Sequence, residues 1–128
     1  MLPTLANGRI CHLEMRATDL RVSSEFYEKV FGWRIRPQGD GSVCFDDPSG
    51  EVSGSWALDR PLATPSDLMI YLTVESVSAS IDAVLKQGGK LVQPINADAS
   101  EITARFSDPA GNVIGLCQEP SRSVTLSA

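Results

Sequence analysis

His12 and Glu14 stand two residues apart, and Arg16 follows after the same interval. On an extended chain, side chains two apart project from one face, so this spacing aligns an imidazole, a carboxylate and a guanidinium. An imidazole with an ordinary pKa of about 6.5 beside a carboxylate can act as a general base. The same groups also satisfy one another's hydrogen bonds across a sheet, which is the commoner use of such a row. Cys11, Cys44 and Cys117 are odd in number and show no CxxC spacing, so three free core thiols are expected rather than disulfides or a zinc ribbon. Cys117 as a nucleophile would need a neighbouring base, and the sequence identifies none. The chain contains no glycine-rich phosphate loop, nucleophile elbow or His-Glu-x-x-His motif.

These residues need elements to position them. From Cys11 the chain alternates, with Cys11, Leu13, Met15 and Ala17 in one row and His12, Glu14 and Arg16 in the other, the period of a half-buried strand. Asp19 reads as an N-cap for LRVSSEFYEKVF, where Val22, Phe26 and Val30 recur every four residues and Gly32 supplies the stop. The runs WRIRP, SVCF and EVSGSWAL, separated by turn residues, predict three antiparallel strands, so the first half is βαβββ. RPLATPSD, Arg60 to Asp67, reads as a connector. The pattern then restarts with the strand LMIYLTVE and the helix SVSASIDAVLKQ, whose stripe is Val77, Ile81, Val84 and Leu85. KLVQPI, EITARF and VIGLCQE complete a second βαβββ, with Asp108-Pro109-Ala110-Gly111-Asn112 as a tight turn rather than a binding loop. PSRSVTLSA is a polar tail.

The halves also repeat by letter: Phe45, Asp47, Pro48, Gly50, Val52 and Gly54 recur 61 residues later as Phe106, Asp108, Pro109, Gly111, Val113 and Gly115. One α+β domain over residues 1–128 is expected, with modules at about 10–59 and 68–119 and a tail at 120–128. Each module has one sheet face covered by its helix, so two modules are expected to combine into a curved mixed sheet around a shared concave pocket. That pocket is expected to hold His12, Glu14 and Arg16, then Met69, Tyr71 and Thr73, then Val52, Gly54, Trp56 and Leu58, with Cys117 in the row of Gly115. Trp56 and Tyr71 would offer stacking surfaces to a flat or hydrophobic ligand, although strand aromatics more often pack internally, as expected of Trp33.

With 128 residues, 42% hydrophobic and 21% charged, the composition is that of a soluble globular domain large enough to hold its own core. Eleven Lys and Arg against sixteen Asp and Glu leave a net charge of −5, which disfavours nucleic acid and anionic membranes and favours cationic ligands. No apolar stretch approaches the about 18 residues of a membrane span, and MLPTLANGRI lacks the apolar region of a secretion signal, so a cytoplasmic protein is expected.

The opening HLEMRATDLRVSSEFYEKVFGW, the internal VESVSASIDAVLKQGGKL and the closing FSDPAGNVIGLCQ together resemble the vicinal oxygen chelate superfamily, which includes glyoxalase I, bleomycin-resistance proteins, fosfomycin-resistance enzymes and extradiol dioxygenases. The resemblance covers roughly residues 10–119. It implies the paired βαβββ fold and a homodimer, without selecting one activity. Metal-using members hold a divalent ion at four positions, on the first and fourth strands of each module. Carried over, these fall on His12, seven residues before Asp19, and on Gly54, Met69 and Gly115. One imidazole, a thioether and two glycines do not make a metal site, so no metal and no cofactor are expected. The resemblance then implies a small-molecule-binding protein of the bleomycin-resistance type; the alternative is a lyase, isomerase or dioxygenase using His12.

Overall fold

Asp19 turns the chain into the first helix: its carboxylate accepts hydrogen bonds from the backbone N–H groups of Arg21 and Val22, two donors that an N-terminal turn leaves unpaired. The computed structural model describes residues 7–60, 68–96 and 102–118. Most of the expected connector, the start of EITARF and the expected tail lie outside them. Before the helix runs β1 (His12–Arg16), and α1 itself spans Leu20–Phe31. Gly32 ends α1 at φ 73°, a left-handed conformation that glycine adopts without strain. The strands β2 (Arg34–Pro37), β3 (Val43–Asp46) and β4 (Ser53–Ala57) follow. The second set is β5 (Tyr71–Thr73), α2 (Val77–Lys86), β6 (Lys90–Asn96), β7 (Ile102–Ser107) and β8 (Val113–Gln118).

The fold is α+β, with two four-stranded sheets in the orders β1-β4-β3-β2 and β5-β8-β7-β6. In each, the first and last strands form the one parallel pair, the helix crossover carries the chain from the first strand to the far edge of the sheet, and the short connections make the remaining pairs antiparallel. The chain divides into two compact units, Met1–Leu62 and Ala63–Ala128. No helix among the described residues is long and apolar enough to cross a membrane.

The two cores differ in kind. In the first unit, Tyr27 stacks on Trp33 at 4.3 Å between ring centroids, Trp33 on Phe45 at 4.5 Å, and Phe45 meets Trp56 at 4.7 Å. The second unit buries mainly Val77, Ile81, Val84, Phe106, Ile114 and Leu116. Two expectations about the helix stripes are corrected. Val22 is 46% exposed, because α1 buries Ser23, Ser24, Phe26 and Tyr27 instead, and Leu85 is exposed beside the buried Val84. A small Ser23 lets the helix approach the sheet closely while the neighbouring rings fill the space. All three cysteines are free, but none is a core thiol: Cys11 is exposed, and Cys44 and Cys117 are half-buried.

Candidate functional site

Register decides which side chains share the face of each sheet that its helix leaves uncovered. In the first unit His12 pairs with Ser53, Glu14 with Ser55 and Arg16 with Ala57, while Leu13 and Met15 pair with Gly54 and Trp56. Residues side by side in a ladder point the same way, so His12, Glu14 and Arg16 share the helix-free face with Ser53, Ser55 and Ala57. The expected row of Val52, Gly54, Trp56 and Leu58 is therefore corrected. Trp56 is 4% exposed within the aromatic core, so it is unavailable for ligand stacking, and Gly54 lies beneath the Phe45 ring.

The cause is one residue in a turn. Asp47 N–H bonds the carbonyl of Val52, whereas Asp108 N–H bonds that of Asn112, so the turn into β4 is one residue longer than the turn into β8. The rungs Ala17 N–H to Ala57 O and Val74 N–H to Cys117 O then match the modules at an offset of 60 residues after the turn, not 61. Gly115 thus corresponds to Ser55. A one-residue slip turns a strand over, which puts Gly54 and Gly115 on opposite faces despite their matching letters.

On the first helix-free face His12 meets Ser55, with 3.4 Å between Nε2 and Oγ. Glu14 does not support the imidazole as expected: its Oε1 accepts from Arg60, with Nε at 2.9 Å and Nη2 at 2.8 Å. Arg16 Nε donates to the Arg60 carbonyl at 3.1 Å. Further along the sheet, Arg36 grips Asp46 with two hydrogen bonds of 2.8 and 3.1 Å, and Ser53 Oγ donates to Asp46 at 2.6 Å. The Ser53 hydroxyl and then the Arg36 guanidinium hold the Asp46 carboxyl below the ordinary carboxylate range. A groove of about 360 Å³ in this unit, lined by Gly32, Arg34 and residues 46–50, contains none of the expected ligand contacts.

On the second helix-free face Tyr71 pairs with Gly115 and Thr73 with Cys117. The Tyr71 ring lies across Gly115 so closely that a Cβ there would be 2.5 Å from ring carbons. Its hydroxyl accepts from Arg105, at 3.0 Å from Nη2 and 3.3 Å from Nε. Thr73 Oγ1 and Cys117 Sγ are 3.8 Å apart. Met69 stands half-buried just before β5. Asp108 is confirmed as a turn residue, its buried carboxylate accepting from the backbone N–H groups of Ala110 and Asn112.

Sequence reasoning missed Ser55, Arg60 and Arg105. The alternation of Thr103, Arg105 and Ser107 against Ile102, Ala104 and Phe106 marks Arg105 as outward-facing, and counting the turn would have exposed Ser55. Nothing local marks Arg60, which reaches a carboxylate 46 positions away. Among the described residues there is no group of three or more His, Cys, Asp or Glu side chains suited to hold a metal ion.

Comparison with known proteins places this geometry. The chain is 26% identical over 125 residues to a glyoxylase-like domain-containing protein of Didymella fabae, covering 91% of this chain and 98% of that protein. It is 25% identical over 126 residues to lactoylglutathione lyase of Escherichia coli O157:H7, covering 87% and 93%. Among solved structures, TnmS3, an antibiotic binding protein from Streptomyces sp. CB03234, superposes with a TM-score of 0.67 at 24% identity, covering 91% of this chain and 99% of that one. The fosfomycin resistance protein FosX from Mesorhizobium loti gives 0.69 at 16% identity, covering 94% and 99%. The family model for the Glyoxalase/Bleomycin resistance protein/Dioxygenase superfamily matches residues 9–116, and with its repeated βαβββ units the chain belongs to that superfamily.

Proposed function

We propose that this chain binds a small molecule on the helix-free faces of its sheets and lacks a complete divalent-metal site. The observation that carries the reading is the donor set at the positions where metal-using members place their ligands. With the register corrected these are His12, Ser55, Met69 and Gly115. A neutral hydroxyl and a thioether are poor partners for a hard or borderline ion, and the Tyr71 ring leaves no room for a side chain at position 115. These residues do not fit a divalent metal. Ligand contacts are assigned to Arg16, Met69, Tyr71, Thr73 and Cys117, with His12 and Glu14 beside them; Trp56 leaves the set. The likeness to an antibiotic binding protein supports a binding role. A homodimer and a cytoplasmic location belong to the same reading.

A second reading has an observation of its own. His12 Nε2 lies 3.4 Å from Ser55 Oγ, a distance from which an imidazole can draw a proton once a substrate tightens the contact. In that case the chain is an enzyme with His12 as base, and the likeness to lactoylglutathione lyase favours it.

Titration of tag-free protein with nickel, zinc, manganese and iron(II), followed by elemental analysis, separates the readings. Binding well below one equivalent is expected for every ion. One tight equivalent that His12→Ala abolishes would overturn the metal-free reading, and turnover lost in the folded His12→Ala protein would replace binding by catalysis.

A further inference from the structure

The strands of the two units carry different charges. β1 to β4 hold His12, Glu14, Arg16, Arg34, Arg36 and Asp46, and both of their carboxylates are engaged by arginines. β5 to β8 hold only Lys90 and Arg105, both positive, in a chain whose net charge is −5. Arg105 pairs with no carboxylate among the described residues; its guanidinium donates instead to the Tyr71 hydroxyl.

We propose that Tyr71 and Arg105 form a recognition site for a carboxylate or comparable anionic oxygen borne by a planar organic ligand. The proposal deepens the small-molecule reading, on which it rests, and names the ligand class. Three features of the pair support it. The Tyr71 oxygen accepts from the guanidinium, so its own O–H is directed elsewhere and is a donor with no acceptor among the described residues. The guanidinium has five N–H groups and spends only those on Nε and Nη2 on the phenol, leaving donors on the Nη1 side for a second acceptor. Tyr71 is 42% exposed, and its ring can lie against the strand because position 115 has no Cβ, so it offers a stacking surface beside those donors. A ligand that accepts hydrogen bonds, carries negative charge and has a flat apolar body matches all three. The cationic preference suggested by net charge is thereby reversed locally: the nearest charge, not the distant surplus, sets what binds at contact range.

The test is an amide-resonance titration of the intact chain with benzoate, benzamide and benzylammonium, three phenyl probes of similar size and different charge. Benzoate is expected to saturate in the millimolar range with shifts centred on Tyr71, Arg105 and Gly115, about tenfold tighter than benzamide, and benzylammonium weaker still. Arg105→Gln is expected to remove the preference for benzoate. Tyr71→Phe keeps the ring over Gly115 and should weaken benzoate by about threefold to tenfold; it provides the reading should Arg105→Gln fail to fold. Equal binding of the three probes on this face would overturn the anion assignment and leave the small-molecule reading standing. Shifts elsewhere, or no saturable shift with any probe, would overturn the site itself, and the metal titration would still judge the broader reading independently.

Discussion

Each unit sets one aromatic ring directly against a strand glycine, but on opposite faces. Phe45 lies over Gly54 on the helix side, inside the stack of Tyr27, Trp33 and Trp56, whereas Tyr71 lies over Gly115 on the helix-free side and is partly exposed. The residue corresponding to Gly54 in the second unit is Ile114, a buried aliphatic suited to a core without large stacked rings. The comparison teaches that a strand glycine marks where a ring must approach the backbone, while the face, and with it the role, depends on register. In the first unit the glycine serves packing. In the second it presents a phenol and a guanidinium to solvent.

The largest expected effect comes from filling the two glycine sites. Gly54→Val drives a branched side chain into the Leu13 carbonyl and the Phe45 ring, in a core where neither can yield, and should cost about 3 kcal/mol or more in urea melts. At Gly115→Val the nearest atoms belong to the partly exposed Tyr71 side chain rather than to backbone, so the loss should be smaller, about 1–2 kcal/mol, while benzoate binding is abolished as the ring is displaced. Similar losses at both sites would remove the distinction.

The paired turns give the next effect. Asp108 is 4% exposed and accepts from two backbone N–H groups, so Asp108→Ala should cost about 1–3 kcal/mol through buried donors left unsatisfied. Its counterpart Asp47 bonds the Ser49 hydroxyl and the Gly50 N–H in an exposed turn, where water replaces a lost acceptor, and Asp47→Ala should cost about half as much or less. Thermal melts of the two variants rank the turns directly.

The smallest effect is a pH dependence confined to the first sheet. The pKa of Asp46 is lowered in the folded protein, so its contribution is present above the unfolded value of about 3.9 and fades as pH falls through the lower folded value. Asp46→Asn should therefore cost about 1 kcal/mol at neutral pH, a figure kept small because Arg36 is 41% exposed. Wild type and variant should converge in acid urea melts; a constant gap down to pH values below the folded pKa would show that the charge contributes nothing.

Much of the fold was legible because it is written in short-range pattern. Asp19, the stretch 20–31 and Gly32 form cap, helix and stop as read, since capping and left-handed termination depend on a few adjacent residues. The helix stripes are less legible: the apolar spacing marks Phe26, which is buried, but also Val22, while the sheet selects Ser23 and Tyr27 by shape. The candidate site was the least legible part. Six matching letters 61 residues apart equated Gly54 with Gly115, and nothing in those letters reported that the first turn keeps one residue more.

The sequence by itself determined the order of elements, their repetition, the turn residues and the superfamily, because each rests on local periodicity or on motifs read in line. Only the tertiary structure decided which strand faces the helix, that Glu14 is engaged by Arg60 rather than by His12, and that Tyr71 and Arg105 meet over Gly115. These facts depend on register and on contacts 34 and 46 residues apart, where a single residue in a turn inverts a strand and no neighbour in the sequence records it.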